Sequence, residues 1–123
     1  MKKLLVSLFA INILSIMPVF AQECTAVRAS HILVKTESDA KLMRSYVEKG
    51  LPFEDVAAGF SQCPSKHNGG DLGYFRRGKM VKEFENAADL AAFSMEKGEI
   101  SEPVKTQFGW HIIKVTDKVC PQN

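Results

Sequence analysis

Ser30-His31-Ile32-Leu33-Val34-Lys35 sets a histidine inside a run of apolar, largely β-branched residues, and Trp110-His111-Ile112-Ile113-Lys114-Val115 repeats the pattern near the other end of the chain. Val and Ile suit a pleated, half-buried surface, so both runs read as strands. The first covers Arg28 to Lys35, with Ile32 and Val34 on one face and His31, Leu33 and Lys35 on the other. Moving outward, Ser38 reads as the N-cap of an amphipathic helix through Lys49, with Leu42, Met43, Tyr46 and Val47 as its apolar stripe and Gly50 as a left-handed cap. Pro52 opens a second helix, Phe53 to Phe60, expected to bury Phe53, Val56, Ala57 and Phe60. Ser61 to Gly70 carries Pro64, Asn68 and two glycines and reads as a loop. Leu72 to Phe75 is a short edge strand, and a third helix spans roughly Lys82 to Ala92. Glu102 to Thr106 and Trp110 to Val119 are strands of a hairpin joined by Gln107-Phe108-Gly109. This order predicts an α+β fold, a four-stranded antiparallel sheet with about three helices packed around it.

The first residues have a different character. Lys2-Lys3 is a basic start, Leu4 to Met17 is mostly apolar, and Val19-Phe20-Ala21 offers a small-residue cleavage site, so residues 1–21 are expected to be a Sec signal peptide and 22–123 one domain. Ser7, Asn12, Ser15 and Pro18 interrupt the apolar stretch and disfavour an uncleaved membrane anchor, while Gln22-Glu23 before Cys24 disfavour lipid anchoring. Cleavage removes two lysines and no acid, so the 16 Lys and Arg fall to match the 14 Asp and Glu. A near-neutral domain lacks the basic footprint of a nucleic-acid or anionic-lipid binder. The expected destination is the periplasm or the exterior.

Three cysteines then meet an oxidising compartment, and an odd number leaves one thiol free. If the histidine strands pair antiparallel with His31 facing His111, that register carried past the strand ends brings Cys24 within two residues of Cys120. A Cys24–Cys120 disulfide with Cys63 free is the expectation; three reduced cysteines is the alternative.

Four motifs follow one another in the chain. They are Ser30 to Lys35; Ser61-Gln62-Cys63-Pro64-Ser65 leading into Gly69-Gly70-Asp71-Leu72-Gly73; Gly78-Lys79-Met80 with Phe84 four residues on; and Pro103 to Ile113. Together they resemble the parvulin-type peptidyl-prolyl cis-trans isomerases, over about Ala29 to Val115. The resemblance implies a parvulin-like, FKBP-like superfold and rotation about Xaa-Pro bonds of unfolded or extended exported polypeptides. It implies catalytic roles for His31, Cys63, His111 and Thr106, and a proline pocket of Leu72, Met80, Phe84 and Phe108. It implies no cofactor, no metal and a monomer. The Lys35-Thr36-Glu37-Ser38-Asp39 connection lacks the basic cluster of the phospho-specific members, which implies that phosphoserine is not preferred.

Blander readings stand beside these. Two strand histidines can be satisfied core residues, and Met80 and Phe84 at helical spacing can be ordinary core. A zinc site from His31, Cys63 and His111 lacks short paired spacing. Cys63-Pro64-Ser65-Lys66 lacks the second cysteine of a dithiol oxidoreductase. Arg76, Arg77, Lys79 and Lys82 make a local basic cluster of a kind usually solvated. The rival function is a non-catalytic chaperone module that grips proline-containing or apolar segments in the same pocket.

Overall fold

The computed structural model describes residues 24–79, 84 and 86–121. The expected signal peptide, Met80 and the expected start of the third helix at Lys82 lie outside the described residues. Strand β1 is Ala26–Val34, and helices α1, Glu37–Glu48, and α2, Phe53–Phe60, follow it. A 3-10 turn over Pro64–Asn68 leads into β2, Asp71–Arg76; then come α3, Asn86–Ser94, and the strands β3, Val104–Thr106, and β4, Gly109–Val119. The four strands form one antiparallel sheet in the order β2-β1-β4-β3.

The two long histidine strands are therefore the sheet's centre. Alternation along them divides the apolar residues between two cores. Ile32, Val34 and Ile112 face α1 and α2 and pack with Ala40, Met43, Phe53, Val56 and Ala57. Val27, Ala29, Ile113 and Val115 face the other way and pack with Phe75, Phe84, Ala88, Ala92, Phe93 and Met95, many of them from α3. Cover on both faces explains why β1 is buried almost without interruption. A register shift sets Arg28 opposite Asp117 and Ala29 opposite Val115, leaving Thr116 as the extra residue of a bulge.

Several local expectations shift. The N-cap of α1 is Thr36, whose hydroxyl accepts the Asp39 N–H, two residues ahead of the expected Ser38. Leu42 and Phe60 are about half exposed, because the close packing of α1 runs through Ala40 and Met43 and that of α2 through its first two turns. Thr106 pairs with Gly109, so the hairpin loop is Gln107-Phe108 alone. A Cβ on Gly109 would lie 2.4 Å from the Val34 carbonyl oxygen, so this glycine serves the approach of β4 to β1. Cys24 and Cys120 form a disulfide that ties the start of β1 to the end of β4, and Cys63 is free and buried. Among the described residues, no helix is long and apolar enough to cross a membrane.

Candidate active site

His31 and His111 lie on neighbouring strands and on the face that α3 covers. They do not face each other directly: His31 pairs with Ile113, and Leu33 pairs with His111. The offset from the expected register is two residues, and because side chains alternate with period two, it leaves both imidazoles on one face as diagonal neighbours. Their Nδ1 atoms are 2.9 Å apart, the rings stack at 5.0 Å, and both residues are fully buried.

The hairpin supplies the next link. Thr106 Oγ1 lies 2.8 Å from His111 Nε2 and accepts the Phe108 N–H at 3.1 Å. Proton counting gives this chain a direction. If Thr106 donates its hydroxyl proton to His111 Nε2, His111 carries its proton on Nδ1 and donates it to His31 Nδ1. That leaves one polar atom, His31 Nε2, unpartnered among the described residues. The reverse sense would also strand the threonine hydroxyl proton, so the first is cheaper. Burial pushes the His31 pKa down to about 3, and the neighbouring His111 ring adds to the effect. His31 is thus neutral at physiological pH, as the relay requires.

Phe84 closes the site from the α3 side. It is fully buried, edge-on to His31 at 5.7 Å, to His111 at 6.1 Å and to Phe75 at 5.3 Å. Leu72 packs against the same cluster, partly buried. Phe108 stands on the hairpin loop, 37% exposed, and its backbone feeds the histidine relay. Leu72, Phe84 and both imidazoles therefore gather on one face, whereas Met80 lies outside the described residues.

Cys63 reaches this region through its backbone. Gln62 N–H donates to the Leu33 carbonyl at 2.7 Å, and Ser61 Oγ accepts the Leu33 N–H at 3.0 Å and the Cys63 N–H at 3.4 Å. Residues 61–63 are clamped to β1 just beyond His31, which fixes where the buried thiol sits.

Three supporting residues escaped the sequence reading as parts of the site. Ser61 is one. Gly70 is another: His31 N–H donates to its carbonyl at 2.9 Å, its φ is +84°, and a Cβ there would fall 2.4 Å from the His31 carbonyl oxygen. The third is Asp71, which takes a two-point ion pair from Arg28, at 2.7 and 3.2 Å, and the Gly73 N–H. The hydrogen bond from Arg28 holds its carboxyl below the usual carboxylate range. The Gly-Gly-Asp-Leu-Gly segment was legible as a turn, but its grip on β1 requires the pairing of distant segments. Among the described residues, no three His, Cys, Asp or Glu side chains gather to hold a metal ion.

Residues 28–117 match the family described as rotamase, the PPIC-type PPIase domain. The chain is 56% identical over 93 residues to the foldase protein PrsA of Geobacillus kaustophilus, covering 75% of this chain and 32% of that protein. Thus it spans about a third of the length of the curated relatives it matches. It superposes on NmPin, the parvuline of Nitrosopumilus maritimus, with TM-score 0.62 and 41% identity, over 74% of this chain and 95% of that one. A structure from work on the SurA-like chaperones PEB4 and Cj1289 of Campylobacter jejuni, the latter described as periplasmic, gives TM-score 0.68 at 32% identity, covering 99% of this chain and 56% of that one. With its central histidine strands, hairpin threonine and clamped cysteine, and with three quarters of its length matched, the chain belongs to the PPIC-type, or parvulin, family of peptidyl-prolyl isomerases.

Proposed function

We propose that the domain catalyses cis-trans exchange at Xaa-Pro bonds of unfolded exported polypeptides, without phosphoserine preference, and that residues 1–21 direct its export to the periplasm. The observation that carries this reading is the buried His31–His111 pair, closed by Thr106 and backed by Phe84. Rotation about a peptide bond makes and breaks no covalent bond. It takes the amide out of plane over a barrier of roughly 18–20 kcal/mol. A water-poor wall favours the less dipolar twisted amide, and each tenfold in rate takes about 1.4 kcal/mol of preferential binding to that state. Leu72, Met80, Phe84 and Phe108 hold the proline ring in this reading. His31 and His111 stay neutral and set local electrostatics without shuttling protons.

Cys63 acts as a polar group beside the twisting amide, and no adduct forms on it. Protease-coupled turnover of a Leu-Pro tetrapeptide tests the reading. Wild-type protein accelerates exchange, His31→Ala and Met80→Ala reduce it sharply, Cys63→Ala impairs it, and Cys63→Asp retains much of it. A thioester trapped between substrate and Cys63 overturns the non-covalent role. Faster turnover of phosphoserine-Pro than of Leu-Pro or Ser-Pro peptides overturns the stated specificity. The SurA-like relatives favour a second reading, holding of clients without catalysis. Binding of a proline peptide with no rate enhancement selects it.

A further inference from the structure

Beside the edge strand β2 lies a hollow of about 340 Å³ lined by Ala26, Tyr74, Phe75, Arg76 and Lys79. Its floor is apolar and its rim is cationic. Arg76 and Lys79 are exposed, and neither has an ion-pair partner among the described residues. The turn that carries them is anchored: Lys79 N–H donates to the Arg76 carbonyl at 2.9 Å, and Gly78 N–H donates to the buried Asp89 carboxylate at 3.2 Å. The hollow lies against β2, the sheet's edge strand, whose outer backbone has no neighbouring strand among the described residues.

This hollow adjoins the core that holds the histidines. Phe75 lines it, and the Phe75 ring contacts Phe84 at 5.3 Å, which contacts His31 at 5.7 Å. The two ring steps put the Phe75 and His31 ring centres no more than about 11 Å apart, a separation that three to four residues of extended chain match at about 3.3 Å each. Two cations without counter-charges among the described residues, in a concave, apolar-floored place, complement a carboxylate on an extended segment.

We propose that the hollow bounded by Ala26, Tyr74, Phe75, Arg76 and Lys79 is an accessory docking subsite for Asp or Glu side chains of the client, giving the isomerase a preference for prolines with an acidic residue about three to four positions away. The proposal rests on the isomerase reading above and adds a substrate class to it. Exposed charge pairs are individually weak, so two cations acting together correspond to a preference of about three- to tenfold. That preference shrinks as salt screens it.

The test is kcat/KM on peptides with a constant Leu-Pro-Phe core and Glu, Gln or Lys placed three residues before or three residues after the proline. At low salt the Glu peptide of at least one series is turned over faster than its Gln and Lys counterparts, and the ranking flattens at ~0.5 M salt. The Arg76→Gln, Lys79→Gln double variant, confirmed folded by circular dichroism, loses the ranking while turning over the Gln peptides like wild type. Equal rates for Glu and Lys in both series, or a ranking unchanged in the double variant, overturn the subsite. No acceleration of any peptide overturns the isomerase reading instead. Fluorescence anisotropy of labelled Glu and Lys peptides then decides the subsite: tighter Glu binding that is lost in the double variant supports it, and equal binding overturns it. Binding to anionic vesicles with no discrimination among peptides reassigns the patch to membranes and likewise overturns the subsite.

Discussion

Gly70 lies so close to His31 that the His31 N–H donates to the Gly70 carbonyl at 2.9 Å, while a Cβ on Gly70 would sit 2.4 Å from the His31 carbonyl oxygen. A glycine in the loop before β2 thereby helps set the position of an imidazole on β1. The expected consequence of Gly70→Ala is twofold: a backbone penalty at φ +84° and displacement of His31. Together these lower unfolding stability by about 2 kcal/mol or more, read from the urea midpoint. Isomerase turnover falls in the fraction that remains folded. A variant with wild-type midpoint and rate would show that the backbone contact does not constrain the imidazole.

Thr106 supports the other histidine, and its hydroxyl serves two partners, His111 Nε2 and the Phe108 N–H. Thr106→Val keeps the shape but removes the hydroxyl from buried His111 Nε2 and from the part-buried Phe108 N–H, at a cost of about 1–3 kcal/mol. Thr106→Ser keeps the hydroxyl and is expected to retain most of the turnover that Val loses. The informative measurement is kcat against KM: a relay that holds the His111 tautomer affects kcat, whereas a looser Phe108 loop raises KM. Equal turnover by the Val and Ser variants contradicts the relay.

The contrast between these supports and the histidines shows where sequence reading succeeds. His31 and His111 sit in strand runs with period-two patterning, and period two alone keeps them on one face even when the pairing slips by two residues, as it does here. Phe84 is legible as an apolar neighbour. Its edge-on contact with both imidazoles is not, because that contact depends on how the chain returns over the sheet. Leu42 and Phe60 illustrate the opposite error. Each continues an apolar stripe, but the stripe is wider than the surface available to cover it. Gly70 and Ser61 act through backbone groups of β1, and Asp71 through the Arg28 side chain on the same strand, all tens of residues away, and local pattern carries no sign of that.

The buried His31 makes stability depend on pH in a definite direction. Its pKa is about 3 in the fold, whereas an unfolded histidine titrates near 6.5. Between those values the unfolded chain binds a proton that the fold excludes, so stability is intact above about pH 6.5 and falls as pH drops toward 3. A tenfold difference in proton affinity corresponds to about 1.4 kcal/mol, which makes the loss several kcal/mol when complete. Asp71, held low by Arg28, adds to the loss at the acid end. The His31 ring proton resonances are expected to stay constant from pH 8 to pH 5 by NMR. Urea midpoints of His31→Leu are expected to fall less steeply with acid than those of wild type. A His31 ring that titrates near 6.5 would contradict the dry, neutral pair.

The Cys24–Cys120 disulfide closes a separation of 96 residues, nearly the whole domain. In the chain-entropy account a loop of that size is worth up to about 4–5 kcal/mol, acting chiefly by restricting the unfolded chain. Cys24→Ser, Cys120→Ser protein, or wild type under reductant, is therefore expected to unfold at markedly lower urea. Turnover by the folded fraction should not change. The bridge lies at the end of the β1–β4 pair where Thr25 N–H donates to the Val119 carbonyl at 2.8 Å, whereas the register that brings His31 to His111 is set by the pairing of Ala29 through Val34 with Val115 through Trp110. A lowered midpoint with intact kcat separates a staple of the termini from a part of the site. Lost activity in folded, reduced protein would mean that the strand ends transmit strain past the bulge at Thr116 to the imidazoles.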